Sequence, residues 1–260
     1  AMALLVYSMS EGTTEIDPET GRILSTRFQE EIAEIISGEA WGSMDITEPD
    51  AGSDMGALRT KAEQDEDGNW FVTGPKIFIT SGHGKYHVVI ARTEDAQGED
   101  AFAGLKGLST FLVPAYQDLE DGTRQRFATV ERLEEKLGHH ASATCAMNFD
   151  HAPAHLIGER GEGFKQMLLL MNNARIGVGF ECIGICEAAI RTAEAYAAER
   201  RSMGKPIDQH EMIADYLDEM HTDVQGLRAM TVHAAFCEEM SYRTQTKANR
   251  VDTNDLETKR

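Results

Sequence analysis

This sequence predicts an α+β protein in which a central antiparallel β-domain, barrel or sandwich, lies between two partial helical parts. Three observations carry that expectation. Short runs punctuated by Gly, Asp and Pro fill residues 41–158. Helical periodicity takes over after Gly161-Glu162-Gly163. The helices at both ends have apolar faces but too few partners to form cores of their own.

Residues 1–40 read as the end of a helical domain. Asp17-Pro18 has the form of an N-cap followed by proline at the first helical position. Phe28, Ile32, Ile35 and Ile36 recur at helical spacing, and Gly38 supplies a stop. Residues 41–158 read as the β-domain. Asp67-Gly68 between Leu58–Gln64 and Trp70–Thr73 is a hairpin signal. Further strands are expected at Lys76–Thr80, His87–Arg92, Ser109–Pro114, Phe127–Leu133 and Thr144–Asp150. Spacing of this kind suits a compact antiparallel barrel or sandwich. The acidic stretch Thr93–Gly104 reads as a solvated loop.

Residues 159–245 read as the start of a helical bundle. Phe164, Met167, Leu168 and Met171 form one stripe, and Ile213, Leu217, Met220, Val224 and Leu227 another. Two long helices are expected to meet near Met203-Gly204-Lys205-Pro206. Residues 246–260 are polar and read as a frayed tail.

Lys plus Arg total 25 against 44 Asp plus Glu, a formal charge of −19. That balance disfavours nucleic acid and anionic membranes as partners. No run reaches the roughly 20 apolar residues of a membrane span, and mean hydropathy is −0.39. Four cysteines without a tight framework suggest a reducing compartment, the cytoplasm.

Two segments carry chemistry. Thr47-Glu48-Pro49-Asp50-Ala51-Gly52-Ser53-Asp54 is an acidic turn with hydroxyls at Thr47 and Ser53. Its carboxylates argue against a P-loop phosphate cradle. In Lys76–Gly82, alternation places Ile77 and Ile79 on one face and Lys76, Phe78 and Thr80 on the other. An aromatic flanked by hydroxyls suits a flat heteroaromatic ring. Each segment alone also fits a bland reading, a capped surface turn and a half-buried strand.

Together, T-E-P-x-A-G-S-D followed by G-x-K-x-F-I-T-S-G resembles the middle domain of the acyl-CoA dehydrogenases. The resemblance continues through Glu135-Lys136-Leu137-Gly138, Gly158-Glu159-Arg160-Gly161-Glu162-Gly163-Phe164, Asn173-Ala174-Arg175 and Glu199-Arg200-Arg201-Ser202-Met203-Gly204-Lys205-Pro206. The wording of Cys145–Asp150 and Met171–Arg175 is most similar to the branch that includes methylmercaptopropionyl-CoA dehydrogenase.

The resemblance implies an FAD-dependent oxidoreductase of fatty acid metabolism and β-oxidation. Such an enzyme removes hydrogen across Cα–Cβ of an acyl-CoA to give a trans-2-enoyl-CoA. It implies that Ile46 and Thr47 meet the pyrimidine side of FAD, that Phe78 lies against its ring system, and that Thr80 and Ser81 line its polar edge. Arg200, Ser202 and Met203 would meet the FAD pyrophosphate of a neighbouring subunit. Ser53, Met171 and Arg175 would face acyl-CoA. Neither family position for the catalytic glutamate is a glutamate here: one is Ala174, and the other is expected beyond Arg260. The chain taken alone is therefore expected to be inactive and to hold FAD weakly or not at all. An electron-transferring flavoprotein and a homodimer or homotetramer are the implied partners. Two alternatives remain: a non-catalytic flavin or acyl-CoA binding module, and a flavin oxidase or hydroxylase on the same scaffold.

Other candidates carry less. His139-His140 and His151-x-x-x-His155 could ligate a metal only if they converged, and the expectation is no metal. Cys182 and Cys186 sit one helical turn apart and read as core thiols. No G-x-S-x-G elbow is present.

Overall fold

The computed structural model describes residues 2–94 and 104–250. Most of the expected acidic loop and the last ten residues of the expected tail lie outside the described residues. The chain divides into two compact units, 1–168 and 169–260.

In the first unit, α1 (Met2–Ser10) is followed by a small hairpin of β1 (Glu15–Ile16) and β2 (Ile23–Ser25), then by α2 (Gln29–Ser37). The expected helix start at Asp17-Pro18 is not one. Asp17 Oδ1 accepts the amides of Glu19 and Thr20 at 2.8 and 3.3 Å, which caps a turn. Gly21, at φ +70°, then sends the chain back into β2. An Asp-Pro cap opens a helix only if the next turn continues it, and Gly21 ends it. Gly38 does close α2, in the left-handed conformation, with its amide on Ile35 O.

The β-domain is a seven-stranded sheet. It comprises β3 (Gly42–Asp45), β4 (Lys61–Gln64), β5 (Trp70–Thr80), β6 (Tyr86–Arg92), β7 (Leu108–Pro114), β10 (Ala128–Leu133) and β11 (Thr144–Ile157), with the hairpin β8 (Tyr116–Asp118) and β9 (Arg124–Arg126) before β10. Five strands close a ring, β5-β4-β6-β7-β11 and back to β5, with β3 and β10 added outside it. Val72, Val89, Ala91, Phe111, Val113, Met147 and Phe149 fill the interior. This is the expected barrel-like core, but the sheet is mixed rather than wholly antiparallel. β3 pairs parallel with β6, and β4 meets β6 in parallel through Lys61 and Arg92. The β4–β5 hairpin lies between β3 and β6 in sequence, and its length allows the crossover that parallel neighbours need.

Arg92 ties that seam. Its guanidinium donates to Leu58 O, Gly56 O, Gly104 O and Glu94 O at 2.8–3.2 Å. Lysine lacks the fork that reaches several carbonyls at once. Arg92→Lys is therefore expected to lower stability by about 1–3 kcal/mol, read as a shift of the urea midpoint at unchanged slope.

In the second unit, α3 (Gly163–Glu199, which begins in the first unit) is joined to α4 (Glu211–Arg250) through a two-strand tip, β12 (Arg201–Ser202) and β13 (Lys205–Pro206). Ile183, Ile190 and Val224 are its buried contact. Met203 and Gly204 form the tip at φ +50° and +85°, the left-handed pair of a tight two-residue hairpin. α4 is helical through Arg250, including part of the stretch expected to fray. No helix among the described residues is long and apolar enough to cross a membrane.

Candidate functional site

The acidic turn and the β5 strand are joined by hydrogen bonds. Ile77 N–H donates to Thr47 O at 2.8 Å. Lys76 Nζ donates to Ile46 O at 2.9 Å and to Glu48 Oε1 at 2.8 Å. Glu48 also accepts the amides of Arg59 at 2.7 Å and Thr60 at 3.0 Å. The turn closes between Glu48 and Ala51, which exchange backbone bonds of 2.9 and 3.1 Å.

Lys76 thus corrects the sequence reading: it does not share an outer face with Phe78 and Thr80 but is wholly buried against Glu48. The cause is a bulge. Cys145 faces Ile79 and Met147 faces Lys76, so Ile77 and Phe78 together oppose Ala146. The extra residue reverses the alternation upstream of Phe78. Burial works against both charges. Burial would raise the Glu48 carboxyl, but Lys76 and three hydrogen bonds outweigh it and hold it below the usual carboxylate range. Burial pulls the Lys76 ammonium down, opposed by Glu48 and Asp45.

Phe78 sits at φ +59° and is 59% exposed. A bulky residue in the left-handed region costs about 1–2 kcal/mol, and an exposed ring recovers little of it by packing. Such strain clusters at ligand sites. Thr80, two residues on, is also exposed, and Ser81 turns the chain at φ +61° with its amide on Ala143 O at 2.8 Å. Ile46 and Thr47 spend their carbonyls inward, while their amide N–H groups and the hydroxyls of Thr47 and Thr80 make no hydrogen bond among the described residues. A strip of free donors beside an exposed aromatic ring fits a flat heteroaromatic ligand with a polar edge, as FAD has. Ser53 lies exposed on the same turn.

The structure therefore brings Ile46, Thr47, Ser53, Phe78, Thr80 and Ser81 into one region. Arg200, Ser202 and Met203 lie in the second unit at the α3–α4 tip. Arg200 makes no side-chain hydrogen bond or ion pair among the described residues, and Met203 projects at 94% exposure. Met171 and Arg175 lie one turn apart on α3, and Arg175 Nη1 reaches Asn172 Oδ1 at 3.4 Å. Elsewhere, the ring of His151 stacks on Phe71 at 4.0 Å and His155 meets Phe28 edge-on. The four cysteines are free thiols.

The fold and this strip define a known class of protein. The family description "Acyl-CoA dehydrogenase, middle domain" matches residues 43–152, and "Acyl-CoA dehydrogenase, C-terminal domain" matches residues 161–249. The chain belongs to the acyl-CoA dehydrogenase family.

Among its relatives, 3-methylmercaptopropionyl-CoA dehydrogenase of Ruegeria pomeroyi is 35% identical over 76% of this chain and 36% of its own length. An acyl-CoA dehydrogenase of Bacillus subtilis is 36% identical over 78% of this chain and 51% of its own. The solved structure of butyryl-CoA dehydrogenase from Megasphaera elsdenii superposes with a TM-score of 0.70 at 30% identity, covering 82% of this chain and 53% of that one. The chain spans about a third to a half of the length of these relatives.

Proposed function

We propose that this chain is the flavin-holding part of an FAD-dependent acyl-CoA dehydrogenase that converts acyl-CoA thioesters to trans-2-enoyl-CoA. The observation that carries the reading is the strip of unbonded donors at Ile46 and Thr47, tied by Ile77 and Lys76 to the exposed, strained Phe78. FAD, when bound, supplies the hydride acceptor. The chain supplies position. The Ile46 and Thr47 amides donate to the polar edge of the ring system, Phe78 offers it a face, and Thr80 and Ser81 offer hydroxyls. Arg200 suits a pyrophosphate because its fork binds two oxygens at once, with Ser202 and Met203 beside it. Ser53, Met171 and Arg175 serve the acyl-CoA side.

The proton from Cα goes to a glutamate carried outside these residues, since Ala174 occupies the alternative position. The whole enzyme is a homodimer or homotetramer that passes electrons to an electron-transferring flavoprotein. One structural neighbour, 30% identical, comes from work on such a flavoprotein in Acidaminococcus fermentans. Four free thiols suit the cytoplasm.

The test is anaerobic addition of acyl-CoA esters of several lengths to the complete flavin-loaded protein. Loss of the oxidised flavin band with at least one ester is the expected result. Full flavin occupancy with no bleaching by any ester would overturn the enzyme reading and leave the binding-module alternative.

A further inference from the structure

A second polar cluster lies inside the β-domain, next in the chain to the donor strip. Ser43, Asp45 and His87 are all buried. β3 and β6 run parallel with Ser43 opposite His87, and alternation puts Ser43 and Asp45 on one face. Ser43 Oγ donates to Asp45 Oδ1 at 2.5 Å. His87 Nδ1 lies 3.0 Å from Asp45 Oδ2 and 2.8 Å from Ser43 Oγ. One proton arrangement satisfies all three contacts: the Ser43 O–H points at Asp45, and the His87 Nδ1–H is shared between Asp45 and Ser43. Both carboxylate oxygens are then held. His87 Nε2 has no partner among the described residues, and the ring packs edge-on to Phe149 at 5.3 Å between centroids. A buried nitrogen without a partner lowers stability. Apolar side chains would fill this space at less cost, so packing alone does not account for the cluster.

Its place in the chain does. Asp45 is the last residue of β3, and the next two are Ile46 and Thr47. Asp45 also attracts Lys76, whose ammonium holds the Ile46 carbonyl. We propose that Ser43, Asp45 and His87 are positioning residues that fix the end of β3, and so hold the Ile46 and Thr47 amides where a flavin's polar edge meets them. The inference rests on the flavin reading above and adds residues that touch no ligand themselves.

The test compares His87→Leu, His87→Asn and Val89→Ala in the complete protein. The asparagine amide replaces the Nδ1–H donor and has no counterpart of Nε2. Val89 is a fully buried residue of the same strand and serves as the packing control. Two readouts are taken: FAD affinity by flavin fluorescence quenching, and hydrogen exchange at the Ile77 amide, which reports its bond to Thr47 O. Expected for His87→Leu are at least about tenfold weaker FAD binding and faster exchange at Ile77, out of proportion to the melting temperature. His87→Asn is expected to recover most of both. Val89→Ala is expected to lower the melting temperature while changing FAD affinity by less than about threefold.

FAD affinity that follows melting temperature equally in all three variants, or no recovery in His87→Asn, would overturn the proposal. If the unaltered protein binds no FAD, the flavin reading itself fails, and exchange alone decides the positioning role. Acceleration confined to Ile77 supports it, and equal acceleration across β6 and β7 removes it.

Discussion

Lys76→Met is expected to destabilise the β-domain by about 3–5 kcal/mol, because it leaves Glu48 buried without its cation. In a unit of this size that lowers the melting temperature on the order of 10 °C. The loss comes from the stranded carboxylate more than from the ion pair's own strength. Lys76→Met combined with Glu48→Gln is therefore expected to be more stable than Lys76→Met alone. Glu48 holds the Arg59 and Thr60 amides on separate oxygens, so the glutamine carbonyl keeps one of them while its NH2 leaves the other without an acceptor, and the recovery is partial. Differential scanning calorimetry of the two variants decides it, and a double variant no better than the single one would refute the account.

The same pair sets an acid limit. The Glu48 carboxyl is held below its usual range in the folded state, while in the unfolded chain it titrates at about 4.3. The folded state therefore binds fewer protons in that window. The contribution is complete above about pH 5 and is lost as pH falls through the lowered native value. Glu48→Gln should flatten that part of the stability–pH curve.

Phe78→Gly is expected to separate stability from binding. Glycine adopts φ +59° freely, so the substitution removes about 1–2 kcal/mol of backbone strain. It also gives up the limited packing of a ring that is 59% exposed and adds backbone freedom in the unfolded chain, about 0.5–1 kcal/mol. The melting temperature should stay within a few degrees of the original or rise. FAD affinity should fall by at least about tenfold, since an aromatic contact and its area are lost. A large stability loss without a binding loss would show that the ring serves the fold instead. Residues that bind ligands often sit at such a stability cost.

Much of this was legible in the sequence, and what was not has physical causes. Phe78, Thr80 and the Thr47 turn are legible as a pair: each segment alone fits a plain strand or a plain turn, and the two in order carry the family resemblance. Alternation puts Lys76 on the wrong face because it assumes an unbroken period of two, and the bulge at Ile77–Phe78 breaks it. The expected end of β11 at Asp150 falls short for a similar reason. A second register shift between Phe149 and Ala152, with His151 at φ +46°, carries the strand on to Ile157. The parallel pairing of β3 with β6 leaves no local mark, since register belongs to both strands at once. Ser43, Asp45 and His87 leave no local signal, because 42 residues separate His87 from Asp45 and the pairing of β3 with β6 brings them together.

The bulged strand also constrains how the protein is made. β5 meets its broadest partner, β11, only after residues 144–157 exist. On a ribosome, Phe78 and the open edge of β5 wait for more than sixty residues of chain to emerge before that edge is covered. Pairing over such a span folds slowly and leaves the edge open to neighbouring chains meanwhile. The acidic tip Asp65-Glu66-Asp67 leads into that strand, and like charge on nascent neighbours keeps such edges apart. The acidity of the hairpin tip thus protects the unfinished chain.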